Sequence, residues 1–309
     1  MPRIFYKGKL SPFLKVGVIS NNVIAWMNGN ARDTDAMRKK IQHGYEGAYS
    51  DHVKHYDDFA FDHYHELAES LLNTVDCKDK IVLDVGSGTG ILANVLLARG
   101  AKKVVCVDFS QYMLDRSKAK LEKMGYPSEK IEFKQADAEN LPFEDNTFDR
   151  VVSGMMLGLA VNQEKVVEEM HRVLSPGGQV VISAHGPEWY YEISETLSMC
   201  LLKNYTMTNL GSSSGVEFWP ITENIFERML DKKGFTQTTI KNQKGRLNFN
   251  TGEQAWDFVA ACSSAWFLGA FKPEERKEVV GKVKQYFIDK QTTTISYEAL
   301  LGYGTKEAL

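Results

Sequence analysis

The sequence is short of several things, and each shortage closes off a class of protein. It has only 4 cysteines in 309 residues, Cys77, Cys106, Cys200 and Cys262, with no C-x-x-C pair among them. Neither a zinc knuckle nor a disulfide framework is suggested, and reduced thiols in a cytoplasmic setting are the simplest account. No sign of charge dominates: 37 Lys and Arg stand against 40 Asp and Glu, a formal net charge of -3. With no long Lys/Arg block either, nothing draws the chain towards nucleic acid. A long apolar run is missing too. The stretch Leu14 to Met27 is rather apolar and follows Arg3, Lys7, Lys9 and Lys15, but Ser20, Asn21 and Asn22 interrupt it. It is shorter than the roughly 20 apolar residues that span a bilayer, so it is expected to be an accessory helix or strand rather than a targeting or anchor segment. Internal repeats and low-complexity tracts are absent. Hydrophobic content of 43% and charged content of 25% are ordinary globular usage, so a sizeable core is within reach. The length allows one large domain, or one with a substantial appendage.

What is present is a sharply punctuated stretch from Ile81 to Gly90. An apolar run, broken only by Asp84, leads into Gly86, Gly88 and Gly90 on alternate positions. An apolar helical pattern then follows from Ile91 to Ala98. That is buried strand, tight loop, helix. Glycine tolerates positive φ and allows close approach to the backbone. The loop therefore offers bare backbone at a helix N-terminus, which suits polar or anionic ligand groups. A sharp turn with no ligand is the alternative.

Around this stretch, strand and helix alternate. Ala36 to Tyr49 and Asp57 to Val75 read as helices, the second with Phe61, Tyr64, Leu67, Ala68, Leu71 and Leu72 at helical spacing. Strands are expected at Val104–Asp108, Lys130–Lys134, Phe148–Ser153 and Gln179–Ser183. Helices are expected from about Gln111 to Met124, with Ser110 as N-cap, and from Glu164 to Leu174, stopped by Ser175-Pro176-Gly177-Gly178. Short connections between them predict a parallel sheet covered on both faces. After His185 the rhythm changes. Helices are expected at Glu188–Lys203, Thr222–Lys233, Thr251–Phe271 and Glu274–Lys290, a loop at Leu210–Gly215, and strands at Phe235–Phe249 and Thr292–Tyr303.

In such sheets ligands bind beyond the carboxyl ends of the strands. Asp108 ends the second strand beside the glycine loop, where a carboxylate can accept hydrogen bonds from both hydroxyls of a ribose; a helix-capping acid is the alternative. Asp137-Ala138, after the third strand, could offer a carboxylate and a backbone N–H to an adenine edge.

Residues from about 45 to 185 resemble the class I S-adenosylmethionine-dependent methyltransferases, most closely the branch containing the ubiquinone/menaquinone-biosynthesis methyltransferases. The resemblance rests on Leu83-Asp84-Val85-Gly86-Ser87-Gly88-Thr89-Gly90, Val107-Asp108-Phe109-Ser110, Met113-Leu114 and Gln135-Ala136-Asp137-Ala138-Glu139. It continues through Leu141-Pro142-Phe143, Phe148-Asp149 and Met170-His171-Arg172-Val173-Leu174-Ser175-Pro176-Gly177-Gly178. It implies S-adenosyl-L-methionine as cofactor. Gly86, Gly88 and Gly90 would wrap its methionine and ribose parts, and Asp84 would reach the methionine ammonium. Asp108 would hold the ribose and Asp137 the adenine amino group. Ser87, Phe109, Met113 and Ala138 would line the same site, and Ser153-Gly154-Met155-Met156 would face the transferred methyl. The fold implied is α/β: a Rossmann-like, doubly wound, seven-stranded, mostly parallel sheet with a helical N-terminal lid and late helical insertions.

Methyl transfer from a sulfonium needs position and a dry site more than a strong catalyst, and a base only where the acceptor must lose a proton. By topology His185 is the best-placed base, a structural loop histidine being the alternative. Tyr56 could close over the cofactor, since related enzymes often carry an aromatic there; His55 is a weaker choice, and His171 reads as structural. Trp189, Tyr190 and Tyr191 are placed to line an acceptor pocket. The Trp256–Phe271 segment is either core or the roof of that pocket. The expected organisation is an N-terminal helical segment at 1–75, a cofactor-binding core at 76–185, and the rest of the sheet with substrate-cap insertions at 186–309. The function expected is methylation of a small organic acceptor, apolar or aromatic in part, with quinone-ring C-methylation as the nearest rival. A non-catalytic cofactor-binding protein is the rival of another class. Nucleic acid and integral membrane partners are not expected.

Overall fold

The computed structural model describes residues 56–189, 192, 221–262 and 273–308. The helix expected at Ala36–Tyr49, His55, the aromatics Tyr190, Tyr191, Trp266, Phe267 and Phe271, and the Leu210–Gly215 loop lie outside them.

Seven strands form one sheet: β1 Ile81–Val85, β2 Lys103–Asp108, β3 Ile131–Gln135, β4 Phe148–Gly154, β5 Leu174–His185, β6 Phe235–Asn248 and β7 Thr294–Lys306. Their order is β3-β2-β1-β4-β5-β7-β6. The pairs β1–β2, β1–β4, β2–β3 and β4–β5 are parallel, and β5–β7 is antiparallel. Composition follows position. Central β1 and β2 are apolar and buried along nearly their whole length, as strands covered on both faces must be. The edge strand β6 alternates between covered and exposed residues, with polar side chains outward, which blunts an open edge.

Seven α-helices are described: α1 Tyr56–Leu72, α2 Ile91–Ala98, α3 Gln111–Lys123, α4 Gln163–Val173, α5 Glu223–Lys232, α6 Gly252–Cys262 and α7 Pro273–Asp289. Their starts are chemically marked. Ser110 caps α3 by accepting the Met113 N–H at 3.4 Å, and Asn162 caps α4 by accepting the Lys165 N–H at 3.0 Å. The core joins Leu83, Val85, Val105 and Val107 of the sheet to Val166, Val167, Met170 and Val173 of α4 and Phe226, Met229 and Leu230 of α5. One boundary differs from the sequence expectation. β5 begins at Leu174, not Gln179, because the Ser175–Gly178 run continues the strand across a register shift between Phe148 and Arg150 instead of ending it as a turn.

The described residues fall into two compact units. The first holds residues 60–185, 221–243 and 299–308; the second holds 56–59, 186–189, 192, 244–262 and 273–298. In the second unit Trp256 is buried edge-on against Phe287 with centroids 5.7 Å apart. The Glu298 carboxylate there accepts the Glu188 N–H at 2.7 Å.

Candidate active site

The site belongs to the first unit and grows from the carboxyl ends of β1 and β2. After Val85 the chain turns sharply, and the N–H groups of Gly86 and Ser87 both donate to the Val107 carbonyl of β2, at 2.8 and 2.9 Å. The three glycines serve different ends. A Cβ on Gly86 would lie 2.4 Å from Met156 Cγ, and one on Gly90 would lie 2.2 Å from Ser117 Oγ. Neighbouring elements are packed against bare backbone at both places. Gly88 has φ +52°, and a Cβ there would meet nothing within 4 Å. Its glycine is needed for the left-handed turn, and the space beside it is open to a ligand.

Two acids face this loop. Asp108 accepts the Gly88 N–H at 2.8 Å with one oxygen and the Ser110 N–H at 2.9 Å with the other, so it fixes both the loop and the start of α3. Burial nonetheless raises its pKa. Asp84 is fully buried, and neither carboxylate oxygen has a hydrogen-bond partner of normal geometry. Burial first, then the nearby Asp108 charge, push its pKa from 3.8 to about 8; the Ala93 backbone offsets this only in part. A buried carboxyl in that condition invites a cation, whose charge would restore its ionised form. Cys106, level with Asp84 on β2, is pushed well above its usual range by burial and stays a thiol.

The third acid follows β3. The Ala136 N–H donates to the Asp108 carbonyl at 3.1 Å, which brings Asp137 and Ala138 in beside Asp108. Asp137 Oδ1 accepts the Glu139 N–H at 2.9 Å. Phe109 is half-buried, and its carbonyl accepts from Gln135 Nε2 at 2.9 Å. Met113 is buried in the first turn of α3. Asp84, Gly86, Ser87, Gly88, Gly90, Asp108, Phe109, Met113, Asp137 and Ala138 thus share the ends of three adjacent strands.

Ser153 also lies here, but its buried hydroxyl donates to the Val85 carbonyl at 2.8 Å and ties β4 to the loop. Just beyond it, Met155 has φ +55°, and its N–H is held by both the carbonyl and hydroxyl of Ser183, at 3.0 and 3.1 Å. That strained residue sets Met156 beneath Gly86. His185 ends β5 and is buried; desolvation lowers its pKa to about 3, so its imidazole is neutral across the working range. Tyr56 opens α1 and belongs to the second unit. His171 stacks edge-on against Phe235, in keeping with a structural part.

One residue that the sequence does not single out, Lys120, also reaches the loop. Lys120 of α3 donates to Thr89 Oγ1 at 3.2 Å and sits 5.2 Å from the centre of the Phe61 ring of α1. Nothing in the local sequence announces this, since Phe61, Thr89 and Lys120 come from three separate elements. No group of three or more His, Cys, Asp or Glu among the described residues could hold a metal ion.

A ligand suited to this place carries a cation for the buried Asp84 carboxylate and fills the open space at Gly88, and S-adenosylmethionine fits both.

Comparison with known proteins agrees. Residues 83–182 match the model of a methyltransferase domain. The chain is similar to a phosphatidylethanolamine N-methyltransferase of Cereibacter sphaeroides, 42% identical over 111 residues, which is 36% of this chain and 53% of that protein. It is similar as well to the ubiquinone/menaquinone biosynthesis C-methyltransferase UbiE of Coxiella burnetii, 43% identical over 103 residues, 33% of this chain and 41% of that one. The chain therefore spans about half or less of the curated relatives it matches. Among solved structures, a putative methyltransferase from Bacillus halodurans shares the fold with TM-score 0.52 at 23% identity, covering 78% of this chain and 99% of that one. With the glycine loop, the acids at the ends of β1 and β2 and the acid that follows β3 all falling inside the matched stretch, residues 83–182 are a class I S-adenosylmethionine-dependent methyltransferase domain.

Proposed function

We propose that the chain transfers a methyl group from S-adenosylmethionine to a small organic acceptor that is apolar or aromatic in part. The observation that carries this is Asp84: a fully buried, unsatisfied carboxyl beside a glycine loop whose middle residue opens onto free space. When bound, the cofactor supplies a methyl already activated on a sulfonium. In this reading Asp84 holds the methionine ammonium, Asp108 the ribose diol and Asp137 with Ala138 the adenine edge. Ser87, Phe109 and Met113 shape the walls around them, and Ser153 holds the wall nearest the methyl.

His185 is retained as a neutral hydrogen-bonding group near the acceptor. With a pKa of about 3 it is a weak base. That favours acceptors that need no strong base, amines above all, or acceptors already ionised. Tyr56 is proposed to close over the cofactor from α1. An apolar component in the acceptor is supported by the apolar residues Met155 and Met156, which follow β4 next to the glycine loop. The likeness to UbiE supports quinone-ring C-methylation as a second reading. A nucleic acid acceptor is disfavoured by the net charge of -3. No helix among the described residues is long and apolar enough to cross a membrane, and a cytoplasmic location is proposed with the free thiols in mind.

The test has two arms. Calorimetry should detect S-adenosylhomocysteine binding that Asp108→Ala weakens at least about tenfold, the loss expected for a charged hydrogen-bond acceptor. A radiolabelled methyl-transfer screen across amines, phenols and hydroquinones should then find turnover. Unchanged affinity in Asp108→Ala would overturn the site; binding without turnover on any acceptor would favour a non-catalytic binding protein.

A further inference from the structure

The glycine loop is held by two backbone bonds to β2, whereas the adenine side of the site has one, from the Ala136 N–H to the Asp108 carbonyl at 3.1 Å, at its very start. Residues 136–147 run between β3 and β4 without helix or strand. Helix α4 fixes them instead, from both of its ends.

At its C-terminal end Arg172 donates from Nη1 to the Phe143 carbonyl at 2.7 Å and to Asp145 Oδ1 at 2.8 Å, and from Nη2 to the Leu141 carbonyl at 2.9 Å. The same guanidinium is gripped by Glu169, Nε to Oε1 at 3.0 Å and Nη2 to Oε2 at 2.8 Å. Glu169 Oε2 also accepts the Leu141 N–H at 2.9 Å. Glu169 is only 5% exposed, and a carboxylate is buried to that degree only when paired, as it is here. At the N-terminal end the Asn162 N–H donates to Glu139 Oε1 at 2.8 Å, and the Glu139 N–H in turn donates to Asp137 Oδ1 at 2.9 Å. The segment that aims Asp137 is therefore stretched between two anchors on one helix.

We infer that Arg172, paired with Glu169, is a positioning residue that sets the selectivity of this site for adenine. It touches no ligand; it acts by holding Leu141 and Phe143 so that Asp137 and Ala138 keep the geometry of one base edge. The inference rests on the cofactor reading above. Lysine cannot replace the planar fork, which here makes five bonds in one plane of donors.

The test compares S-adenosylhomocysteine with its inosine analogue, in which the exocyclic amino group becomes an oxo group, by calorimetry on the full chain. A carboxylate held opposite that amino group should make the wild type prefer the adenine form by more than about 30-fold. In Arg172→Lys the preference should fall below about 5-fold. A structural role alone would lower the melting temperature and weaken both ligands alike; an unchanged preference overturns the inference. Should Arg172→Lys fail to fold, Glu169→Gln is read the same way, because it keeps an oxygen for the Leu141 N–H while losing the charge that orients Arg172. Failure of the wild type itself to bind S-adenosylhomocysteine overturns the cofactor reading and this inference together, and is told apart because no variant is then involved.

Discussion

If Asp84 holds the methionine ammonium as proposed, cofactor binding should release a proton from it. Its carboxyl is buried, lacks normal partners and is pushed from 3.8 to about 8. At pH 7 about nine in ten unliganded molecules would then hold that proton. An ammonium placed against the carboxylate favours its ionised form, so binding drives the proton off. Affinity for S-adenosylhomocysteine should rise about tenfold per pH unit between about pH 6 and 8 and level off above that. Asp84→Asn should flatten this dependence and weaken binding about 100-fold at pH 8, within the range for removing one partner of a buried charged pair. Calorimetry in phosphate and in Tris counts the protons, because the two buffers take them up with different heats. Stability provides a second readout. A folded-state pKa above the unfolded value of 3.8 means the native chain binds more protons than the unfolded chain from about pH 4 to 8. Asp84 therefore stabilises below that window, and its contribution is lost as pH rises through about 8, at about 1.4 kcal/mol per pH unit. Asp84→Asn should accordingly melt above the wild type at pH 8. An affinity that does not change from pH 6 to 8, with no proton released, would refute the reasoning.

Two further outcomes follow from the loop. Lys120→Met, which removes the bond to Thr89 and the cation over Phe61, should weaken S-adenosylhomocysteine binding about 5- to 10-fold and speed hydrogen exchange in residues 60–72 of α1, read by mass spectrometry. Gly86→Ala should lower the unfolding free energy by about 2–3 kcal/mol, because Met156 lies 2.4 Å from the new methyl. Gly88→Ala, with nothing in its way, should lose only about 1 kcal/mol, from its positive φ, yet bind cofactor poorly; chemical denaturation and calorimetry on both variants separate the two effects.

How legible all this was in the sequence depends on the range of the interaction. β1 and β2 declare themselves because strands covered on both faces are apolar throughout, and Ser110 announces α3 because its capping bond spans three residues. Asp84, Asp108 and Asp137 are readable as strand-end acids because each stands within two residues of the end of a strand, a position that periodicity locates. Glu169 and Arg172 were not, although Arg172 lies in a recognised motif. A charged pair three apart on a helix reads as a solvated face, and only the fold reveals Leu141 closing over it. The Lys120–Thr89 bond joins residues with no local pattern in common. The end of β5 at His185 is readable from the sequence, but the burial of His185 depends on distant segments such as that of Ile221, whose N–H meets the His185 carbonyl at 3.0 Å. The start of β5 was hidden by Pro176, Gly177 and Gly178, which mark a turn in most settings and here form an irregular stretch of strand.

The sheet order has a consequence for how the protein is made. β7 is the latest of the seven strands in the sequence, yet it lies between β5 and β6, pairing Gln179 with Thr305 and His185 with Ala299. On the ribosome, β1 to β5 can assemble in sequence and could already present the glycine loop. β5 must then wait with one edge bare while everything up to Thr294 is translated, and β6 has no place in the sheet until β7 arrives. An unpaired edge on a largely buried strand invites association with other chains. Nascent chains stalled before Thr294 should therefore be the species that chaperones hold, and slow translation ahead of that point should lower the yield of soluble protein far more than slow translation beyond Lys306.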